Sequence, residues 1–244
     1  MKKFLVIVYF FIGLSVASFP SDLQTLDLSL KDLISFARKS LGNEILLSQV
    51  QSITYYGLIG ETDKHKEKEM VLYLKKPYMQ RLETRSEDVH ETLASDGYEG
   101  YFKRKYVQDE QDPILTFLPV ERIKKMRITT IENLCFFNPA PSLNTLQYYA
   151  GLGIKRGRRC YRLVTEYGED TFFVRFIDIN NGKLLATKDG DGTEIIEFGE
   201  IVVSGIRFPQ SLEAYSNGKI VSSITFTKIL VNADLNNNLF VLEK

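Results

Sequence analysis

The chain of 244 residues has no tryptophan, two cysteines and two histidines. Two cysteines are too few to build a scaffold held by disulfides. The histidines, His65 and His90, have no partner at a metal-binding spacing. The sequence also lacks a G-x-S-x-G motif and a recognisable setting for a catalytic cysteine. These absences argue against an enzyme, and we expect no catalytic residue, metal site or cofactor.

The first 18 residues predict export. Lys2 and Lys3 form a charged start, residues 4–16 form an apolar run, and residues 15–17 (Ser-Val-Ala) offer signal peptidase a site of small residues. The alternative, an uncleaved membrane anchor, needs about 18 or more apolar residues, and this run is shorter. No cysteine follows the run that could carry a lipid. We therefore expect residues 1–18 to be a cleaved signal peptide.

The remaining residues, 19–244, are enough for one domain with a sizeable core, and no linker rich in proline or glycine divides them. No second long apolar stretch is present, which excludes a transmembrane domain. The chain has 31 basic and 31 acidic residues, and removal of Lys2 and Lys3 leaves a slight acidic excess. Nucleic-acid-binding proteins usually carry a net basic face. We therefore expect a soluble protein with no nucleic-acid partner.

The two cysteines, Cys135 and Cys160, permit two interpretations. An exported protein meets an oxidising compartment, in which the two could form a disulfide. Such a bond would close a loop of about 25 residues and contribute roughly 3 to 4 kcal/mol if loop-closure entropy accounts for its effect. Alternatively, both could be separately buried thiols, since a free cysteine behaves as a small apolar residue.

Helical spacing of apolar residues occurs at the start and in the middle of the mature chain. Ser29 resembles an N-cap, and the apolar residues after it predict a helix that ends at Leu41. Residues 44–50 predict one or two further turns. Residues 112–138 mix helical spacing with an internal Pro119, which predicts one or two short helices.

Elsewhere, apolar and polar residues alternate in short runs that are rich in β-branched and aromatic residues and are separated by turn residues. Asn181-Gly182 and Asn217-Gly218 predict two-residue hairpin turns. The runs predict a mainly β (α+β) fold, with about eleven antiparallel strands in a single strongly curved sheet. The predicted strands are residues 53–59, 69–74, 78–85, 91–96, 101–106, 159–165, 171–178, 183–188, 194–201, 207–216 and 219–232.

Alternation with a period of two places apolar side chains on one face of several predicted strands. A curved sheet must cover that face, and the N-terminal and middle helices could do so. The face could line a cavity that holds an apolar ligand, or it could form an ordinary packed core. The candidate cavity residues are Leu72, Leu74, Leu163, Phe172, Val174, Phe176, Ile196, Phe198, Ile224 and Phe226.

Seven segments follow one another in a characteristic order. They are LGNEILLSQVQSITYYG (41–57), KKPYMQRLE (75–83), SDGYEGYF (95–102), GRRCYRLV (157–164), FIDINNGKLL (176–185), VSGIRFPQSLEAYSNGKIV (203–221) and NADLNNNLFVL (232–242). Their order and spacing resemble the periplasmic lipoprotein carrier superfamily, the LolA-like and LolB-like proteins of outer-membrane lipoprotein sorting. One difference is Tyr101, where many relatives have tryptophan.

The resemblance implies a half-open antiparallel barrel, with the helices as a lid over an apolar cavity that receives acyl chains. It further implies a soluble, monomeric periplasmic carrier that moves lipoproteins or lipids between membranes. An inner-membrane transporter and an outer-membrane receptor would be its partners. Two alternatives stay open, namely a lipid-sensing envelope regulator without catalytic activity and a hydrolase with an unrecognised site.

Two charged segments also permit more than one interpretation. Four cations, Lys155, Arg156, Arg158 and Arg159, could meet a phospholipid headgroup or an acidic partner protein, or could form the solvated end of a strand. Residues 189–192 (Asp-Gly-Asp-Gly) resemble the start of a calcium loop. However, the sixth position of that loop is a glutamate rather than a glycine, so we predict a hairpin turn.

Overall fold

Most of the chain forms β-strands joined by turns, as the alternating pattern predicts. The computed structural model describes residues 28–61, 64–108, 112–139, 145–168 and 171–242. The predicted signal peptide therefore lies outside the described residues. The strands are β1 (Ser52–Glu61), β2 (Lys64–Lys75), β3 (Met79–Arg85), β4 (Val89–Ser95), β5 (Gly100–Tyr106), β6 (Ile114–Phe117), β7 (Thr145–Lys155), β8 (Arg158–Tyr167), β9 (Phe172–Asp178), β10 (Leu184–Asp189), β11 (Glu194–Phe198), β12 (Ile201–Val203), β13 (Ile206–Phe208), β14 (Ser211–Ser216) and β15 (Lys219–Val231).

Three α-helices accompany the strands in the described residues, α1 (Leu30–Leu41), α2 (Glu44–Gln49) and α3 (Val120–Cys135). The side chain of Ser29 caps α1 by accepting a hydrogen bond from the backbone N–H of Asp32, which confirms the predicted start. The prediction for residues 112–138 was partly wrong. Its first apolar residues form β6, and Pro119 then occupies the N-cap position of a single long helix without a side-chain capping bond.

Thirteen strands form one antiparallel sheet, in the order β6-β5-β4-β3-β2-β1-β15-β14-β11-β10-β9-β8-β7. The sheet does not close, because β6 and β7 stand at its two ends and α3 connects them in sequence. The prediction of about eleven strands was too low by these two edge strands. β6 is only four residues long, and β7 contains Gly151 and Gly153 next to an irregularity in its pairing with β8.

The three α-helices pack on one side of the sheet, which we call the inner face. Leu33 and Ala37 of α1 pack against Leu163 of β8 and Ile177 of β9, and all four are fully buried. The middle of α3 packs near Tyr167, and α2 packs near β1. Burial of these apolar side chains stabilises the fold by about 1.5–3 kcal/mol for each large side chain. We call the opposite side of the sheet the outer face.

Residues 199–210 leave the main sheet and form a separate two-stranded hairpin, β12 and β13, which we call the inner hairpin. The predicted strands 194–201 and 207–216 are therefore each broken. Ser204 and Gly205 both have positive φ angles, 52° and 76°, as the turn of such a hairpin requires. A bridge between Gly42 and Ile206 joins the inner hairpin to the end of α1.

The predicted turn at Asn217-Gly218 is confirmed, since both residues have positive φ angles between β14 and β15. The two-residue turn at Asn181-Gly182 was wrong, because residues 179–183 all lie between β9 and β10. This longer connection approaches α1 closely. A Cβ on Gly182 would lie 2.6 Å from the carbonyl oxygen of Phe36, so only glycine fits there without a shift.

The segment 189–192 forms the predicted hairpin turn between β10 and β11. The carboxylate of Asp189 accepts a hydrogen bond of 2.8 Å from the backbone N–H of Thr193. Burial raises the pKa of Asp189. Among the described residues, no three His, Cys, Asp or Glu side chains lie together as metal ligands would.

The C-terminal segment covers part of the outer face. Residues Asn237–Phe240 form a 3₁₀ helix next to β3, and Phe240 is 1% exposed. Arg81 on β3 donates hydrogen bonds of 2.9 Å to the carbonyl oxygen of Leu239 and to the hydroxyl of Tyr101. Tyr101 is thus buried and hydrogen-bonded through Arg81 to the C-terminal segment.

Both cysteines are free thiols in the structure, so the disulfide interpretation was wrong and the alternative of separate thiols holds. Cys135 ends α3 and packs against Tyr167 at one end of β8. Cys160 lies seven positions away on that strand, which is about 23 Å at the rise of a β-strand. Because Cys135 packs near Tyr167, the two thiols lie at opposite ends of β8, too far apart for a disulfide.

We expect both thiols to react slowly in the folded protein. Burial raises the pKa of Cys135 to about 11 and also raises the pKa of Cys160, so little of the reactive thiolate is present near pH 7.5. Titration with Ellman's reagent should find two thiols after denaturation without reductant, and a much slower reaction without denaturant. Denatured protein that shows no thiol before reduction would contradict the structure.

Candidate functional site

The inner face carries a large apolar surface on β1, β2 and β15. Ile53, Tyr55, Ile59 and Met70 are buried there, together with Phe226. Adjacent strands bring them together because paired residues point to the same side of a sheet, and Tyr55 stands opposite Ile229. The rings of Tyr55 and Phe226 lie 4.9 Å apart between centroids. This surface is the strongest candidate for a binding site for apolar groups.

Five of the ten predicted cavity residues lie on the inner face. They are Leu72, Leu74, Leu163, Ile224 and Phe226. Leu74 and Leu163 are fully buried, whereas Leu72 and Ile224 are partly buried at the margin of the apolar surface. Their orientation agrees with the prediction, and their contact with a ligand stays a prediction.

The other five predicted cavity residues lie on the outer face, so their predicted orientation was wrong. They are Phe172, Val174 and Phe176 of β9 and Ile196 and Phe198 of β11. Phe176 stands opposite Arg162 of β8, whereas its neighbour Arg175 stands opposite the buried Leu163. In β11, Ile196 stands opposite Glu213, whereas Glu197 stands opposite Leu212 of the apolar surface. A shift of one residue reverses every side chain of a strand.

The physical reason in β9 is the burial of Arg175, which is 4% exposed. Its guanidinium forms an ion pair with Glu132 of α3 and donates a hydrogen bond of 2.9 Å to the hydroxyl of Thr165. The hydroxyl of Tyr167 donates to the same glutamate. Burial lowers the pKa of Arg175 to about 10, which still leaves it charged near neutral pH. This polar group ties α3 to the inner face.

A second acidic group lies on the inner face in β11. Burial raises the pKa of Glu197, and the nearby charge of Arg207 on the inner hairpin partly offsets this effect. Glu197 also acts on Tyr55, whose pKa is raised first by burial and then by this negative charge. The carboxyl group therefore lies close to the apolar surface and to the hairpin that covers it.

Arg38 joins α1 to the end of α3. Its Nη1 donates hydrogen bonds of 2.8 and 2.7 Å to the carbonyl oxygens of Cys135 and Phe136. Its Nε and Nη2 donate bonds of 2.7 Å to the two carboxylate oxygens of Glu44 in α2. One buried side chain therefore holds all three helices over the inner face.

The four predicted cations lie at the hairpin between β7 and β8. Lys155 forms an ion pair with Glu194 and lies 4.8 Å from the ring centre of Phe176. Arg158 forms an ion pair with the buried Asp178. Arg156 and Arg159 are exposed, and the guanidinium of Arg156 lies 5.3 Å from the ring centre of Phe198. Two of the four charges are thus neutralised within the protein, and a role in headgroup binding stays a prediction.

A polar depression of about 330 Å³ lies on β1–β4, away from the apolar surface. Charged side chains dominate its lining, which makes it unsuitable for hydrocarbon. The lining residues are Leu58, Glu67, Glu69, Arg85, Ser86, Glu87 and His90.

Sequence reasoning missed the two features that most affect the inner face, namely the buried Arg175–Glu132 pair and the inner hairpin. A signal for the hairpin is present. Two short segments rich in β-branched or aromatic residues, Ile201–Val203 and Ile206–Phe208, flank a Ser-Gly dipeptide, which is a hairpin turn sequence. No comparable local signal exists for the ion pair, because its members are far apart in the chain.

The structure resembles solved structures at low sequence identity. A DUF1329 family protein from Desulfovibrio piger is 10% identical and has a TM-score of 0.54, and the match covers 87% of this chain and 97% of that chain. A LolA superfamily protein from Nitrosomonas europaea is 8% identical and has a TM-score of 0.56, with 88% and 98% covered. The chain thus has a LolA-like fold, which confirms the resemblance at the level of the fold.

Comparison with protein-family models and with curated proteins gives no match. Among the described residues, no helix is both long enough and apolar enough to cross a membrane.

Proposed function

We propose that this protein is an exported carrier that binds the acyl chains of lipoproteins or lipids on its inner face and moves them between membranes. The observation that carries the proposal is an apolar surface on the inner face of a LolA-like fold, covered by helices that a few polar contacts hold in place. Each methylene group that an acyl chain hides from water contributes about 0.8 kcal/mol. A carrier of this kind needs no catalytic group, and we propose no enzymatic activity.

The remaining parts of the proposal follow from the sequence. Residues 1–18 would direct export to the periplasm, and residues 19–244 would act there as a single monomeric domain. The helices would serve as the lid. An inner-membrane transporter would load the carrier and an outer-membrane receptor would unload it. The exposed cations Arg156 and Arg159 are candidates for contact with a phospholipid headgroup or an acidic partner.

The test is binding of a fluorescent long-chain acyl probe to the mature protein, together with mass spectrometry of lipids that co-purify from the periplasm. We expect Ile224→Asp to weaken probe binding by more than tenfold. Its carboxylate would lie beside the bound hydrocarbon, and an unpaired polar group in such surroundings costs more than the ~1.4 kcal/mol that a tenfold change requires.

The matched control is Phe172→Asp, which places the same charge on the outer face, where Phe172 is 40% exposed. This variant should keep the affinity of the wild type. Thermal melting of both variants shows whether they remain folded, since Ile224 is only partly buried. Wild-type protein that takes up no acyl probe and carries no co-purified lipid would refute the proposed function.

A further inference from the structure

The inner hairpin is longer than its place in the sheet requires. β11 and β14 pair directly up to Phe198 and Ser211, so a two-residue turn could join them. Residues 199–210 instead extend over the inner face. The additional length of residues 199–210 is therefore explained by the contacts they make, since a shorter turn would be enough to connect β11 and β14.

One side of the inner hairpin is buried in the apolar surface and the other faces solvent. Ile206 and Phe208 are 1% and 3% exposed, whereas Val202 is 69% exposed. The ring of Phe208 lies edge-on to Tyr55 of β1 at 6.1 Å and to Phe136 after α3 at 6.5 Å, between centroids. Phe208 thus fills the space between the sheet and the end of α3, over the surface that the proposed function assigns to acyl chains.

The inner hairpin is held mainly by these apolar contacts. Its strands pair with each other and not with the thirteen-stranded sheet. The described backbone hydrogen bonds to the main sheet are at its second end, from Gln210 to Phe198 at 3.0 Å and from Phe226 to Gln210 at 2.9 Å. The Gly42–Ile206 bridge and a bond of 3.0 Å from Arg207 Nε to the carbonyl oxygen of Ser40 attach it to α1. It can leave without breaking a strand pair of the main sheet.

We propose that the inner hairpin is a built-in occupant of the acyl site, and that an acyl chain binds by displacing Ile206 and Phe208 from the apolar surface. This inference rests on the proposed function and adds where the chain binds and what it must replace. The exchange replaces one set of apolar contacts with another, so the surface stays covered in the empty protein as well as in the loaded one. The affinity for the acyl chain is lowered by the fraction of molecules in which the hairpin remains in place.

The first part of the test weakens the apolar contacts of the inner hairpin and leaves the residues of the main sheet unchanged. We expect Phe208→Ala to bind the fluorescent acyl probe at least tenfold more tightly than the wild type, because the smaller side chain holds the hairpin less firmly. Val202→Ala, on the exposed side of the same hairpin, should bind like the wild type. Ile206→Val is a milder variant that should shift the affinity in the same direction if Phe208→Ala does not fold.

The second part detects the displacement itself. Arg207 lies in a paired strand, its side chain is 11% exposed and its Nε donates a hydrogen bond to Ser40, so we expect trypsin to cut after it much faster once the hairpin leaves the inner face. Saturating acyl probe should therefore speed the appearance of a fragment that ends at Arg207. Mass spectrometry identifies this fragment, and cleavage after an exposed residue such as Arg156 serves as the internal reference.

The outcomes separate the inference from the proposed function. Probe binding by the wild type, tighter binding by Phe208→Ala and faster cleavage at Arg207 in the presence of probe together support the inference. If the wild type binds the probe, but Phe208→Ala and Ile206→Val bind no more tightly and cleavage at Arg207 is unchanged or slowed, the inference is overturned and the proposed function stands. If no form of the protein binds the probe, both are overturned.

Discussion

Glu132→Ala is expected to lower the free energy of unfolding by about 3–5 kcal/mol, because it leaves the guanidinium of Arg175 buried without its partner. Glu132 is 10% exposed at its side chain and Arg175 is 5% exposed. The substitution also removes the acceptor for the hydroxyl of Tyr167. Urea denaturation followed by circular dichroism measures the change.

The matched control is Lys183→Ala. Lys183 also forms an ion pair, with Glu200, but both side chains are more than 40% exposed. Exposed pairs contribute about 0–1 kcal/mol, so this variant should be nearly as stable as the wild type. A Glu132→Leu/Arg175→Met double variant should regain most of the lost stability, since an apolar pair can replace a buried ion pair. Equal losses for Glu132→Ala and Lys183→Ala would contradict the buried pair.

The orientation of β9 and β11 explains why the candidate site could be predicted only in part. In both strands, one set of alternate residues is apolar and the other set includes a charged residue. A charged side chain usually faces water, so the sequence points the apolar set inward. On the inner face, β9 carries Arg175 and β11 carries Glu197. The partners that make this burial possible, Glu132 and Arg207, belong to distant parts of the chain. Alternation within one strand cannot reveal them.

The orientation of β2 was predicted correctly. In β2, Leu72 and Leu74 alternate with Tyr73 and Lys75, and they do face the helices. Local signals also located the first helix and the Asn217-Gly218 turn, because a cap and a turn depend on neighbouring residues only. The two edge strands β6 and β7 were not predicted, because each is recognisable as a strand only through its pairing with β5 or β8.

The three helices over the inner face depend on the contacts of Arg38, and Arg38→Ala should loosen their packing on the sheet. The substitution leaves the carbonyl oxygens of Cys135 and Phe136 without their donor. A buried group left unsatisfied costs about 1–3 kcal/mol, so we expect a total loss of roughly 2–5 kcal/mol in the free energy of unfolding. Lys39→Ala removes the adjacent exposed cation and should change stability by less than about 0.5 kcal/mol.

Two further measurements separate the loss of this link from general destabilisation. The hydrogen bond from Arg38 holds the pKa of Glu44 below its ordinary value, so in Arg38→Ala this pKa should rise toward 4.5, as followed by nuclear magnetic resonance. Hydrogen exchange should become faster in α1 and α2 than in the strands of the main sheet. Equal acceleration throughout the chain would mean that Arg38 supports the whole fold, whereas faster exchange confined to the helices would identify it as the residue that keeps them over the inner face.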